Sequence, residues 1–349
     1  MLNIAKGQTL TGTGTVVDVF LTDPALRDGI LRDPSELSFA IYTVASGART
    51  KIFPVAPATT QEVDLATNKI GTGHFYASFT MPGDATPGAG ELHWWYTVNE
   101  VEREIVVPIE ITASQFIFRP GYCLLSDVRS EGISSTVASD ARVLSTIDLA
   151  SRYIERVTDR WFEPRRCQFE LDGDDTRVLR LPTPLIAIEN IVVSLYGDWG
   201  DGETFDPSAY RVYARHITTG QPTEDDRDNP KIELVDTLEL RRLGFGVERW
   251  PRGRRNILVE GVFGYTDFDG SPTGETPPLL RQLCTMLAVH NVGKMVTRQQ
   301  VAGPITSERT RDQSVTYGTS SAATGAFTAD PEIDLMLESF RRPPIFEVG

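Results

Sequence analysis

The sequence is poor in the residues that most often carry chemistry. Its 349 residues include three cysteines and four histidines. Cys123, Cys167 and Cys284 lie far apart and form no CxxC pair, which argues against a disulfide framework and against a structural zinc site. His74, His93, His216 and His290 are isolated, and no HExxH, GxSxG or Walker-type phosphate loop occurs. Gly12-Thr13-Gly14 and Gly71-Thr72-Gly73 are too short to cradle a phosphate. Carboxylates are plentiful, yet no pair stands out for acid–base work. The expectation is a chain that is not an enzyme and needs no cofactor or metal. The acidic stretches Asp198-Trp199-Gly200-Asp201-Gly202-Glu203 and Asp225-Asp226-Arg227-Asp228-Asn229 do not follow the ligand spacing of a calcium loop and read as turns and exposed loops.

Long apolar runs are also missing. No stretch approaches the roughly 18–20 residues of a membrane span, and Met1 to Lys6 carries no apolar signal-peptide region, so synthesis and retention in a cytoplasm are expected. Lysine is scarce: of 34 basic residues, 29 are arginine. With a net charge of −14, general adhesion to nucleic acid is disfavoured. Arginine forms planar, bidentate contacts to carboxylates, which suits protein–protein assembly.

What is present falls into two unlike pieces. Residues 1–112 hold short β-branched or aromatic runs, among them Val16 to Leu21, Leu37 to Tyr42, His74 to Phe79, Leu92 to Val98 and Glu104 to Ile109. Turn signals such as Asp23-Pro24 and Pro82-Gly83-Asp84 separate them. This pattern predicts an immunoglobulin-like β-sandwich. Within it, His93-Trp94-Trp95-Tyr96 alternates, with Trp94 and Tyr96 on one face and His93 and Trp95 on the other. Core packing is the favoured reading; stacking on sugar rings is the other.

Residues 113–121 read as a linker closed by Arg119-Pro120-Gly121. Beyond it, Val143, Ile147, Ala150, Ile154, Val157 and Trp161 recur at helical spacing, with Ser139 or Asp140 as cap and Pro164 as stop. A shorter helix over 127–131 precedes it, with Ser126 as N-cap and Gly132 after its end. Strand-like segments follow between Gln168 and Phe263, with Asp172-Gly173-Asp174-Asp175 as a hairpin turn. A helix from Thr276-Pro277-Pro278 to about Val296 is apolar almost all round and must be covered by its own domain or by neighbours. Residues 297–329 are polar and mostly irregular, with a strand-like Gln313 to Tyr317. A last helix spans 331–340, with Asp330 as cap and Ile333, Met336, Leu337 and Phe340 on one face. The tail, 341–349, is stiffened by Pro343-Pro344 and should project as an extended arm.

Several of these segments stand in a recognisable order. They are Tyr122 to Gly132, Ala150 to Glu155 with Thr158 to Phe162, Leu171-Asp172-Gly173, Leu179 to Ile186, the buried helix, Ser314 to Gly318, and Phe327-Thr328-Ala329-Asp330-Pro331-Glu332-Ile333-Asp334. Over 122–346 the chain resembles the head–tail connector (adaptor) family of long-tailed double-stranded-DNA bacteriophages. The expected fold is α+β: the N-terminal immunoglobulin-like β-sandwich, read from its own strands and outside the resemblance, precedes the connector domain of long helices plus a β-sheet or barrel-like segment that the resemblance implies. The resemblance also implies a structural virion protein of the neck, a ring of twelve copies docked under the portal protein and offering the surface for a tail or tail-terminator (stopper) protein. In that setting Arg341, Arg342, Pro343, Pro344, Ile345 and Phe346 form a portal-docking arm. The basic segment Arg249-Trp250-Pro251-Arg252-Gly253-Arg254-Arg255 offers Arg249, Arg252, Arg254 and Arg255 as an interface loop. It reads as a solvated hairpin tip, as a contact to an acidic portal or neighbouring subunit, or as a contact to DNA in a ring lumen. The rival functions are a tail-tip or baseplate protein with a carbohydrate-binding sandwich, and a two-domain hydrolase.

Overall fold

The computed structural model describes residues 2–10, 17–23, 30–45, 47–113, 121–194, 202–206, 209–213, 226–234, 249–267, 269, 271–300, 307–310, 313–316, 328 and 330–342. The dominant feature of the N-terminal part is a pair of long strands, Gly88–Val98 and Val101–Thr112. They are joined by Asn99 and Glu100, both at positive φ (49° and 63°), the backbone twist of a two-residue hairpin turn. Gly88–Val98 also pairs with Glu36–Ala45, which carries Ala48–Phe53 and Gln61–Glu62 on its far side. Leu2–Ala5 adds to the opposite edge, parallel to Val101–Thr112, and completes a six-stranded sheet. Along Gly88–Val98 the inward positions Leu92, Trp94, Tyr96 and Val98 are buried. They pack with Leu21, Phe39, Ile41, Phe75 and Met81 in one core. Its other walls are a three-stranded piece (Asp18–Phe20, His74–Tyr76, Lys69–Gly71) and the pair Thr9–Leu10 with Phe79–Thr80.

The second part is organised by four helices: α1 (Leu125–Ser130), α2 (Asp140–Thr158), α3 (Pro278–Gln300) and α4 (Pro331–Phe340). Between α2 and α3 the chain builds a four-stranded sheet, ordered Arg165–Gly173, Gly253–Phe263, Leu185–Val193, Glu203–Thr204. Beside it stands a three-stranded sheet of Val178–Arg180, Lys231–Leu234 and Tyr210–Tyr213. A hairpin of Ser307–Thr310 and Gln313–Thr316 separates α3 from α4.

This architecture corrects the expected fold class. The chain is mostly β, with 42% strand against 22% helix, and its strands fall in several small sheets. It is not a β-sandwich followed by a long-helix connector domain. Two physical reasons account for the difference. The N-terminal strands are too unequal in length to make two facing sheets, so one broad sheet is closed by short pieces. In the middle of the chain, residues such as those of Arg165–Gly173 alternate strictly between half-buried and exposed positions, the period of a strand, and they form sheets of their own instead of filling gaps between helices.

Local expectations are corrected as well. Helix α1 begins after Leu124, whose N–H donates to Asp127 Oδ2 at 2.8 Å, so Ser126 lies inside the helix and is not its cap. Gly132, at φ +88°, does follow its end. Ser139 caps α2 through its carbonyl, which accepts from Arg142 and Val143, and its side chain makes no cap bond. Helix α2 stops at Asp159, which takes the left-handed conformation, five residues ahead of Pro164. Trp161 therefore lies beyond the helix, and its indole N–H donates to Phe263 O at 3.0 Å.

Over Pro278 to Gly293, the part whose burial is described, the apolar side chains of α3 are covered largely from within the chain. Leu280, Leu283, Cys284, Leu287, Ala288 and Val292 are buried with Val143, Ile147, Ala150 and Ile154 of α2, Leu125 and Val128 of α1, and Ile333, Leu337 and Phe340 of α4. Among the described large apolar side chains of α3, Leu279 keeps an exposed fraction of 44%.

The two parts meet through Phe20, Leu31, Ile186, Ala187 and Val262, a small apolar cluster drawn from both. A second meeting point is polar. Glu110, on Val101–Thr112, is only 5% exposed and its Oε2 accepts from Ser126 Oγ of α1 at 2.8 Å. Burial pushes this carboxyl above its ordinary value, the Ser126 bond opposes that, and Asp127 and Asp140 add to the rise. A carboxyl whose folded pKa is raised holds its proton longer in the folded state, so the stability it contributes is lost as pH rises from about 4.5 upward. Glu110→Gln removes this loss while keeping an acceptor for Ser126. Thermal melts should show the variant more stable than the parent at about pH 7 and level with it near pH 4; an equal offset at both would remove Glu110 as the cause.

Candidate interaction surfaces

The arginine segment is built on a rigid frame. Trp250 is fully buried, tilted against Phe205 with centroids 5.3 Å apart, within the core of the two middle sheets. Its backbone N–H donates to Thr176 O at 2.7 Å. Asn256 closes the segment from the other side: its Nδ2 donates to Pro251 O at 2.8 Å, and its Oδ1 accepts from Gly173 N at 2.9 Å. A Cβ at Gly173 would stand 1.9 Å from Pro251 O, so only glycine permits the two chains to lie this close. The ladder slips by two residues between Leu171 and Gly173, an irregularity of the kind that re-aims side chains at a sheet end.

The frame alters the sequence reading of this segment. Strand Gly253–Phe263 begins at Gly253, so Arg254 and Arg255 stand on its first residues and not in a loop. Arg255 has φ 46°, and its backbone N–H donates to Asp172 Oδ1 at 2.6 Å. Antiparallel pairing brings the acidic turn Asp172-Gly173-Asp174-Asp175 alongside. Arg249 reaches Asp175 at 3.7 Å and Arg255 reaches Glu170 at 3.9 Å, with both arginine side chains mostly in solvent. Arg252 and Arg254 are exposed and make no ion pair among the described residues. The surface is thus of mixed sign, with two uncommitted guanidinium groups at its tip. The acidic half, some 75 residues earlier in the chain, carries no sequence signal that it would fold here.

The base of the C-terminal arm is equally well fixed. Asp330 accepts from Glu332 N at 3.0 Å as the cap of α4. Phe340 closes the helix edge-on to Phe162 (5.4 Å, 81°) and to Tyr265 (6.4 Å, 89°). Arg342 N donates to Thr158 O at 3.2 Å, which ties the departing chain to the end of α2. Arg341 lies near Glu338 at 3.6 Å, both exposed. Tyr265 is itself held between two guanidinium groups, Arg160 at 4.7 Å and Arg227 at 4.4 Å from its ring centre. Asp228 and Asp267 hold those arginines in place at 2.7 Å each. Sequence reasoning missed this stack, since its members have no common spacing. Pro343, Pro344, Ile345 and Phe346 lie outside the described residues.

Around the aromatic run, Trp94 and Tyr96 are core residues. His93, on the other face, is also buried: Nδ1 lies 2.6 Å from Glu104 Oε1 and Nε2 lies 2.9 Å from Glu91 Oε2. Tyr42 and Trp95 flank its ring, with centroids 4.8 and 5.6 Å away. Among the described residues no group of three His, Cys, Asp or Glu could hold a metal ion, and no helix is long and apolar enough to cross a membrane. His216, Gly12 to Gly14, Asp198 to Asp201, Asp225, residues 114–120, Tyr317, Gly318, Phe327 and Ala329 lie outside the described residues. The chain matches no protein-family model, no curated protein and no solved structure.

The anchoring residue and the displayed residues should separate in experiment. Trp250→Ala removes a fully buried ring and should cost about 3–5 kcal/mol in chemical denaturation. Arg252→Glu with Arg254→Glu should change stability by no more than about 0.5 kcal/mol. A large loss from the charge reversal would mean that these arginines hold the fold and are not free for a partner.

Proposed function

We propose that this chain is a structural protein of a phage virion neck, forming the adaptor ring between portal and tail. In this reading the subunit docks under the portal protein and presents the attachment surface for a tail or stopper protein, with copies arranged in a closed ring of about twelve, the number that the family resemblance implies. It works by geometry, turning one protein surface into another.

The observation that carries the reading is a convergence. Four of the segments with connector-like sequence, Tyr122 to Gly132, Ala150 to Phe162, the buried α3 and (through Ile333) Phe327 to Asp334, lie far apart in the chain yet contribute to one hydrophobic core, while Leu179 to Ile186 packs in the core of the middle sheets and in the small shared cluster. The chain end leaves that core from a fixed point, Phe340 to Arg342, beside the end of α2. An arm with an ordered root loses less entropy on docking than one that is loose along its length. The reading does not draw on an uncovered α3, because the described apolar side chains of that helix up to Val292 are buried or half-buried within the chain, Leu279 excepted. Nor does the sugar-binding alternative gain support, because Trp94 and Tyr96 are core and His93 is enclosed by two carboxylates and two rings.

The test is reconstitution. Full-length protein mixed with the portal of its own phage and imaged by cryo-EM should give a ring at the portal's narrow end. Arg252→Glu with Arg254→Glu should weaken that docking at least tenfold while the melting temperature stays put, since a reversed charge at a desolvated contact costs on the order of 1.4 kcal/mol or more. Failure of the parent protein to form any ring on the portal would overturn the proposal. Unchanged docking of the variant would remove the arginine tip from the interface.

A further inference from the structure

We propose that Cys123 and Cys284 form a latent disulfide, a modification site closed by an oxidant of the peroxide class, which locks the entry of the helical body to its central helix. The two sulfurs lie 3.4 Å apart, and both residues are fully buried. They come from positions 161 residues apart. The sequence treats them as unrelated core thiols, and only the packing of the chain at 121–124 against α3 brings them together.

That packing is specific. A Cβ at Gly121 would stand 2.4 Å from Ile147 Cγ2, so glycine lets the incoming chain lie directly on α2. The next residue, Tyr122, donates its N–H to Ser151 Oγ at 3.1 Å, and its hydroxyl donates to Glu155 Oε1 at 2.7 Å. Cys123 is thereby held over α3 with little freedom. Ser151 Oγ also lies 3.5 Å from Cys284 Sγ. The arrangement gives the two sulfurs different chemistry. Hydrogen bonding from Cys123, against the opposing effect of burial and with help from Ser151, holds the Cys284 thiol below its ordinary value, while the same bond and burial push Cys123 up. Cys284, whose sulfur lies within reach of both Cys123 Sγ and Ser151 Oγ, is on that geometry assigned as the sulfur that reacts first, and Cys123 as the one that resolves.

The steps balance. The Cys284 thiolate attacks one oxygen of hydrogen peroxide, the O–O bond breaks, and hydroxide leaves, giving a sulfenic acid. Cys123 sulfur then attacks the sulfenyl sulfur, its proton goes to the departing oxygen, and water leaves as the S–S bond forms. Two thiols and one peroxide become one disulfide and two waters. A small neutral oxidant can reach a buried pair through local opening, where a bulky disulfide reagent is excluded. Cys167, half-buried on Arg165–Gly173, stands apart from this pair and serves as the internal control. The proposal holds whether or not the chain is a neck protein.

The experiment uses the whole protein. After treatment with hydrogen peroxide and quenching, a non-reducing tryptic map should contain a peptide joining Cys123 to Cys284, and the count of titratable thiols in denaturant should fall from three to one. The melting temperature should rise by roughly 5 °C and return on adding dithiothreitol, as a cross-link closing so long a loop requires. In Cys123→Ser the sulfenic acid should persist and be trapped by dimedone at Cys284. Free thiols at both positions after treatment, or separate over-oxidation of each sulfur without a joined peptide, would overturn the proposal.

Discussion

The structure of the C-terminal part depends on one act of burial, the enclosure of α3. Leu280, Leu283, Cys284, Leu287, Ala288 and Val292 point to more than one side of the helix, so a single neighbour could not hide them. Three helices do it together, and two of them lie far away in sequence. Each large aliphatic side chain removed from water contributes about 1.5–3 kcal/mol, which offsets the entropy of bringing α3 back onto α1 and α2 across the strand-rich middle of the chain. The position of everything functional follows. Phe340 is fixed because α4 must cover α3, the arm leaves where Phe340 ends, and Tyr122 and Cys123 are held because α1 must cover the remaining side.

The N-terminal part is attached, not merely tethered. Besides the apolar cluster shared by Phe20, Leu31, Ile186, Ala187 and Val262, Leu31 N donates to Ile188 O at 3.1 Å. Thr72 N donates to Glu189 Oε1 at 3.2 Å, and Glu189 in turn pairs with Arg166 at 2.8 Å. Backbone bonds, an ion pair and side-chain packing all fall on the strand Leu185–Val193, so the two parts share one strand as a common wall.

Helix positions were legible in the sequence because they rest on local period and local caps. The spacing of Val143, Ile147, Ala150 and Ile154, the Thr276-Pro277-Pro278 start and the Asp330 cap each predict a helix that exists. Trp94 and Tyr96 were legible as core for the same kind of reason, since alternation along a strand sends them to one face. What could not be read was anything set by pairing between distant segments. Strand runs were visible, but not that they would divide among several small sheets, because register is decided by partners distant in sequence, as in Leu2 with Ile109 or Arg165 with Phe263. The end of α2 was misplaced because a left-handed Asp159 stops it, and no residue type announces that conformation as proline announces a break. The thiol pair and the acidic neighbours of the arginine tip were invisible on the same grounds.

The arginine-rich composition takes on a different meaning once the contacts are known. Arg129 is spent on Ile133 O, Ala138 O and Asp140, and Arg281 grips Asp127 with two bonds of 2.8 and 2.6 Å. Arg160, Arg165, Arg166 and Arg227 are likewise bound to carboxylates within the chain. A preference for arginine over lysine is thus largely explained by planar, bidentate bonding inside the fold, and it does not by itself signal assembly. Arg252 and Arg254 are exposed and make no ion pair among the described residues, and Glu170, Asp172, Asp174 and Asp175 share their sheet end. Within a Debye length of about 8 Å at physiological salt, those carboxylates largely cancel the field that would draw in a polyanion. A phosphate backbone approaching this end meets repulsion beside attraction. A protein surface can place a carboxylate against each guanidinium and a cation against each acid, so the mixed-sign tip favours a protein partner over DNA.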